Sequence, residues 1–161
     1  MMSIEVGDKA AVKVSKRTMH APEVLNEAYD YDTPSSFSRG MRVDIGGVTM
    51  LFISGTSSVN EKGESVHEGN FFAQAERTFK NITALLESEG ATWHDIVRTT
   101  CYLKDMHDYD KFNIARTQFY KEQGLNPPPA STCVEAHLCR DELLVEIEAI
   151  AVLPSDKERK K

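Results

Sequence analysis

A chain of 161 residues is about one domain's length, and its 40% of hydrophobic residues suffices for a core without metal or disulfide staples. The net charge of -6 weighs against a nucleic-acid-binding surface, which is ordinarily basic, and no apolar run approaches the ~20 residues that span a bilayer. Cys101, Cys133 and Cys139 show no CxxC and no histidine at ligand spacing, so reduced thiols and no metal are expected; with no apolar leader pattern near the N-terminus, the expected compartment is the cytoplasm.

Residues 1–34 are polar and weakly patterned and read as an N-terminal arm, with a short strand near residues 11–14. The domain is expected over residues 35–154 and a charged tail over 155–161. Met41, Val43 and Ile45 alternate with Arg42 and Asp44, the period of a half-buried strand. Gly46-Gly47 makes a turn, and residues 50–53 form a second strand ending in Ser54-Gly55-Thr56. Phe72, Ala75, Phe79, Ile82 and Leu86 then recur at alternating spacings of three and four, which places them on one face of a helix. Asn70 suits its N-cap and Gly90 the position just past its end. Residues 97–104 alternate as a strand, and residues 109–123 form a second helix with Phe112, Ala115 and Phe119 inward. Three prolines at 127–129 exclude helix and regular sheet. Strands over residues 130–138 and 143–153, joined by the short turn 139–142, read as a closing hairpin.

The order ββ-α-β-α-ββ with short connections predicts an α+β domain, a mixed and mostly antiparallel sheet with two helices packed on one face. In the last strand Leu144, Glu146, Glu148, Ile150 and Val152 share one side and Leu143, Val145, Ile147, Ala149 and Ala151 the other. Both sides are substantially apolar, but the helices can cover only one. The second side calls for a partner, most simply another copy of the chain.

The segments SSFSRGMRVDIGGVTMLFISG, DIVRTTCYLKDMHDYDKFNIARTQFY and PPASTCVEAHLCRDELLVEIEAIAV together resemble the RidA/YjgF family across residues 35–153. The resemblance implies a chorismate-mutase-like fold and a homotrimer whose sheets line a central barrel. It also implies a small carboxylate-bearing ligand in clefts between subunits, and hydrolysis of reactive enamines or imines to a keto acid and ammonia without a cofactor. Relatives that process 2-aminomuconate or cleave chorismate supply alternative chemistries. A non-catalytic small-molecule-binding or regulatory protein is a further alternative. An RNA-cleaving role is the weakest, because the chain is acidic and lacks a His or Lys/Arg cluster.

Within that resemblance Glu146 matches the glutamate that orients water or handles the proton, and a carboxylate in an apolar strand must be paired, protonated or working. Glu148, on the same strand face, is expected to make a structural contact. Cys133 matches a thiol that lines the pocket; no histidine supports it as a nucleophile. Gly55 matches a loop whose backbone borders the ligand, and Asn113 is read as structural. Two positions depart from the family pattern. Ser131 stands where the family has an arginine that grips the substrate carboxylate, and a hydroxyl cannot replace a forked, charged contact. Phe37 stands where a tyrosine is usual and keeps the ring without the hydroxyl. Weak hydrolysis of 2-aminoacrylate is therefore expected. Arg39, two residues from Phe37, is the candidate to restore the missing charge; the alternative is an ordinary exposed strand arginine. The expected site is thus catalytic Glu146 with Arg39, Phe37, Gly55, Ser131 and Cys133 around the substrate.

Overall fold

The computed structural model describes residues 12–156. Its strands and α-helices are β1 (Val14–Thr18), β2 (Gly40–Ile45), β3 (Val48–Ser57), α1 (Phe71–Ser88), β4 (Ile96–Leu103), α2 (Tyr109–Glu122), β5 (Ala130–Glu135) and β6 (Val145–Pro154). The strands form one mixed sheet in the order β1-β2-β3-β6-β4-β5, and only the β4–β5 pair is parallel. A parallel pair cannot be joined by a tight turn; α2 provides the crossover. The architecture is the α+β arrangement expected, with α1 and α2 packed on one face.

The last two strands are not the hairpin their short connection suggests, because β4 lies between β5 and β6. β6 carries apolar residues on both faces and gains most from a central place. β5 holds Ser131, Thr132 and Glu135, which an edge tolerates.

The segment read as an arm is built into the domain from Val14 onward. β1 extends the sheet along β2, in register from Val14 opposite Ile45 to Thr18 opposite Met41, while Met19 and Leu25 join the core. The strand expected near residues 11–14 shares only Val14 with β1, because VSKRT is almost wholly exposed and has no apolar alternation to mark it. Residues 1–11, and the tail beyond Asp156, lie outside the described residues.

Asn70 caps α1 by accepting from the Ala73 amide, and Gly90 follows its end at φ +64. Phe71, not Phe72, is the inward phenylalanine at its start; Phe72 is 48% exposed. Either residue fits the helical spacing, and the neighbouring layer selects between them. Deeper in, Phe79 stacks on Phe119 with centroids 4.4 Å apart, and Trp93 meets Phe119 edge-on at 4.9 Å. Two buried amides then fix the chain around the sheet's working end. Asn81 donates to the carbonyls of Ser57 and Val59 (2.9 and 2.8 Å), and Gln74 both donates to Glu142 O and accepts from Leu144 N (2.8 Å each).

Among the described residues, nothing packs on the sheet's other face. Register places Val14, Ile45 and Val48 in one row across β1, β2 and β3, and Met41, Phe52 and Ile150 in another across β2, β3 and β6. Val14, Ile45, Val48 and Phe52 are all exposed.

Candidate active site

The site begins at a break in the β3–β6 ladder. Ile53 pairs with Ala149 and Thr56 with Ile147, so β3 holds one more residue than β6 over this span and bulges at Ser54-Gly55. The bulge brings the Gly55 backbone against the Glu146 side chain. A β-carbon on Gly55 would lie 2.8 Å from the Glu146 carboxyl carbon and closer still to Oε1. Past the bulge, Ser57 faces Glu146 across the ladder, and its hydroxyl donates to Oε2 at 3.1 Å. Glu146 and Glu148 are both half-buried on the uncovered face, opposite Tyr102 and Thr100 of β4. The Tyr102 phenol is held above its ordinary pKa by burial and by the charges of Glu148 and Glu146. Beside them Phe37, Phe52, Arg98, Thr100 and Glu148 line an open cleft of about 470 Å³.

Phe37 and Arg39 precede β2 and are not part of a regular strand. Arg39 is buried, with the Phe37 and Tyr31 rings each 5.2 Å from its guanidinium carbon. Its Nε donates to Asn26 O at 3.1 Å, one Nη donates to the Tyr31 hydroxyl, and its backbone amide donates to Glu27 Oε2 at 3.0 Å. Burial pulls the guanidinium down to about 10, against the upward pull of Glu27. These contacts use Arg39 to pin the 26–31 segment onto the sheet, so the expectation that it grips a ligand gains nothing from them. The sequence could not show this, because Asn26, Glu27 and Tyr31 fall in the stretch read as an arm.

Ser131 and Cys133 lie on the other side of the sheet. Their register partners Thr99 and Cys101 are buried toward the helices, and Ser131 Oγ accepts from Thr99 Oγ1 at 3.1 Å. Burial pushes the Cys133 thiol above its ordinary pKa, and the charge of Cys101 adds to this while Arg116 opposes it. Such a thiol is a poor nucleophile. Arg116 of α2 also enters here: its Nη1 donates to Ser131 Oγ at 3.2 Å and its Nη2 to Asn113 Oδ1 at 2.9 Å. Sequence reasoning passed over Arg116. Its signal was the spacing from Asn113, three residues earlier and hence on the same helix face.

One chain therefore brings Glu146, Gly55 and Ser57 together, with Phe37 and Arg39 in contact nearby, and holds Ser131 and Cys133 apart on the opposite face. Among the described residues no three His, Cys, Asp or Glu side chains converge as metal ligands.

The endoribonuclease L-PSP pattern matches residues 23–153. The chain belongs to the endoribonuclease L-PSP family. This is the RidA/YjgF group that the sequence resembles. A RutC family protein of Pasteurella multocida is 37% identical over 110 residues, 68% of this chain and 83% of that one. A protein of Escherichia coli K12 named 2-iminobutanoate/2-iminopropanoate deaminase is 36% identical over 110 residues, again 68% and 83% of the two chains. The crystal structure of the E. coli YjgF gene product superposes with a TM-score of 0.67 at 32% identity, covering 84% of this chain and 98% of that one. The family match begins at residue 23 and so takes in part of the stretch the sequence assigned to an arm.

Proposed function

We propose that this L-PSP family member is a cofactor-independent, deaminase-type hydrolase. Its substrate is a small enamine or imine bearing a carboxylate, and its cleft lies between copies of the chain in a homotrimer. The observation that carries the reading is the Glu146 carboxylate, held half-buried against Gly55 by the Ser57 hydroxyl. It faces the uncovered side of the sheet, beside an open cleft. The relative named 2-iminobutanoate/2-iminopropanoate deaminase supports the reaction class. The homotrimer is supported by the exposed apolar rows of the sheet, and by the separation of Ser131 and Cys133 from Glu146 within one chain. A second copy docked on that face is the simplest way to place the two groups around one ligand.

In this reading Glu146 accepts a proton from water as the water oxygen bonds to the imine carbon, and the C=N electron pair moves to nitrogen. Glu146 then returns the proton to nitrogen. Glu146 next carries the adduct's hydroxyl proton to the amine, and as the C–N bond breaks the oxygen's electron pair forms the C=O of the keto acid and the C–N pair leaves with ammonia. An enamine first takes a proton at its β-carbon and gives one up from nitrogen, which makes it the imine. Proton handling by a placed carboxylate is worth roughly a hundred- to ten-thousandfold in rate. The test is release of keto acid and ammonia from an imino acid generated in situ. Glu146→Gln should lower kcat about 100-fold or more with little change in KM; an unchanged kcat removes Glu146 from the chemistry.

A second reading, a small-molecule-binding protein without turnover, is favoured by Ser131 standing where the family arginine is expected. Saturable binding of keto acids with no hydrolysis of any imine or enamine tested would establish it instead.

A further inference from the structure

We infer that Arg116 is the carboxylate-holding residue of this chain, forming with Asn113 and Ser131 an anion subsite between α2 and β5 for a small organic acid. The nature of the ligand rests on the hydrolase reading above; the existence of the subsite does not.

The partners of Arg116 are all uncharged. Its two terminal nitrogens meet the Ser131 hydroxyl and the Asn113 amide oxygen, and its guanidinium carbon stands 5.0 Å over the Phe112 ring. Among the described residues no carboxylate lies in ion-pair contact with it, whereas Arg17, Arg42 and Arg77 each have at least one. A half-buried guanidinium with neutral neighbours keeps its charge uncompensated and most of its five donors available.

The group is also pre-positioned. Phe112 is fully buried and anchors the helix turn beneath Arg116, Asn113 fixes one edge of the fork, and Ser131 fixes the other. Holding a long side chain in one rotamer ordinarily costs entropy on binding, and here that cost is met by the fold. Among the described residues, the other arginines without carboxylate partners lack this arrangement. Arg39 is buried and engaged by Asn26 and Tyr31. Arg98 makes one bond, to Thr132 Oγ1, on the opposite face. Arg140 donates to Gly63 O and Ser65 Oγ. Cys101, buried, and Cys133, half-buried, share this side of the sheet with Ser131.

The spatial logic explains Ser131. Because the Arg116 fork touches Ser131 Oγ, it occupies the space directly beyond that short side chain. An arginine at position 131 would bring a second guanidinium into the same volume. The positive charge missing from β5 is thus delivered from α2.

The test uses the full-length protein and titration calorimetry with pyruvate, with neutral pyruvamide as control. Wild type should bind pyruvate saturably at millimolar concentrations. Arg116→Ala should weaken that binding about 100-fold with pyruvamide affected little. Arg116→Lys should fall between, keeping charge without the fork. The double exchange Arg116→Ser with Ser131→Arg should recover most of the affinity, which a variant that merely misfolds cannot do. Saturable pyruvate binding unchanged by Arg116→Ala overturns the inference, and so does wild type that binds no pyruvate. Glu146→Gln separates the two proposals. If it and wild type bind pyruvate equally through Arg116 while wild type turns over no imine, the hydrolase reading fails and the subsite stands.

Discussion

The Glu146 carboxylate lies where the side chain of residue 55 would begin, and only a glycine leaves it that space. Gly55 is not held at positive φ, so its role is close approach and not backbone freedom. Gly55→Ala should therefore cost little stability, because the displaced atoms are the movable end of a side chain. It should nevertheless push Glu146 away from Ser57 and reduce turnover about 100-fold. Steady-state assays beside thermal melts check this pairing; a variant with wild-type turnover would show that the carboxylate position is immaterial.

Assembly in the proposed trimer should depend on the exposed sheet face. Phe52, exposed in a row with Met41 and Ile150, would be buried in the proposed trimer. Sedimentation equilibrium should give three times the chain mass for the wild type. Phe52→Glu, which buries a charge without a partner, should shift the protein to monomer and abolish turnover. A wild-type monomer at micromolar concentration would end the trimer.

Stability should depend on the end of α1. Glu89, whose side chain is almost wholly buried, pairs with Arg17 at 2.6 Å and Arg42 at 3.1 Å and ties the helix to β1 and β2. Glu89→Ala leaves the Arg42 guanidinium buried with part of its compensation gone. A loss of about 3 kcal/mol is expected in denaturant unfolding; a loss within experimental error would mean that Asp44 and Asp156 suffice.

The same network sets an acid limit. Hydrogen bonding to Arg42, reinforced by Thr49 against a burial penalty, holds the Asp44 carboxyl below its ordinary value of 3.8. A depressed carboxylate contributes stability above its unfolded pKa and loses it as pH falls through the folded one. Wild type should lose stability below about pH 4, and Asp44→Asn should flatten that part of the profile. An unaltered acid limb would exclude Asp44 as a contributor.

Thiol alkylation should separate the three cysteines. Cys139 is exposed, whereas Cys133 is half-buried and Cys101 buried, and burial raises the pKa of both of the latter. Iodoacetamide at pH 8 should modify Cys139 first, Cys133 slowly and Cys101 only on unfolding. Rapid modification of Cys133 would mark it as an activated thiol and reopen a nucleophilic role.

By itself the sequence determined the elements from β2 onward and most of their faces. Local spacing and caps set the helices, as Asn70 and Gly90 show, and the alternation along 145–153 placed Glu146 on the side away from Val145 and Ile147. The motifs determined the family. Only the tertiary structure decided which strands are neighbours, because pairing β5 with β4 and setting β6 between β3 and β4 depends on burial summed over the whole sheet. It also decided that Val14–Thr18, polar and without periodicity, completes an edge, since an exposed strand needs backbone partners more than apolar side chains. The surroundings of the two arginines are the clearest case. Arg39 is a candidate grip on sequence alone because its partners Asn26 and Tyr31 lie in a stretch with no pattern, and the contacts of Arg116 have no sequence signal beyond its spacing from Asn113. A guanidinium's neighbours come from distant parts of the chain, so whether its charge is compensated can be read only once the fold has brought α2 beside Ser131.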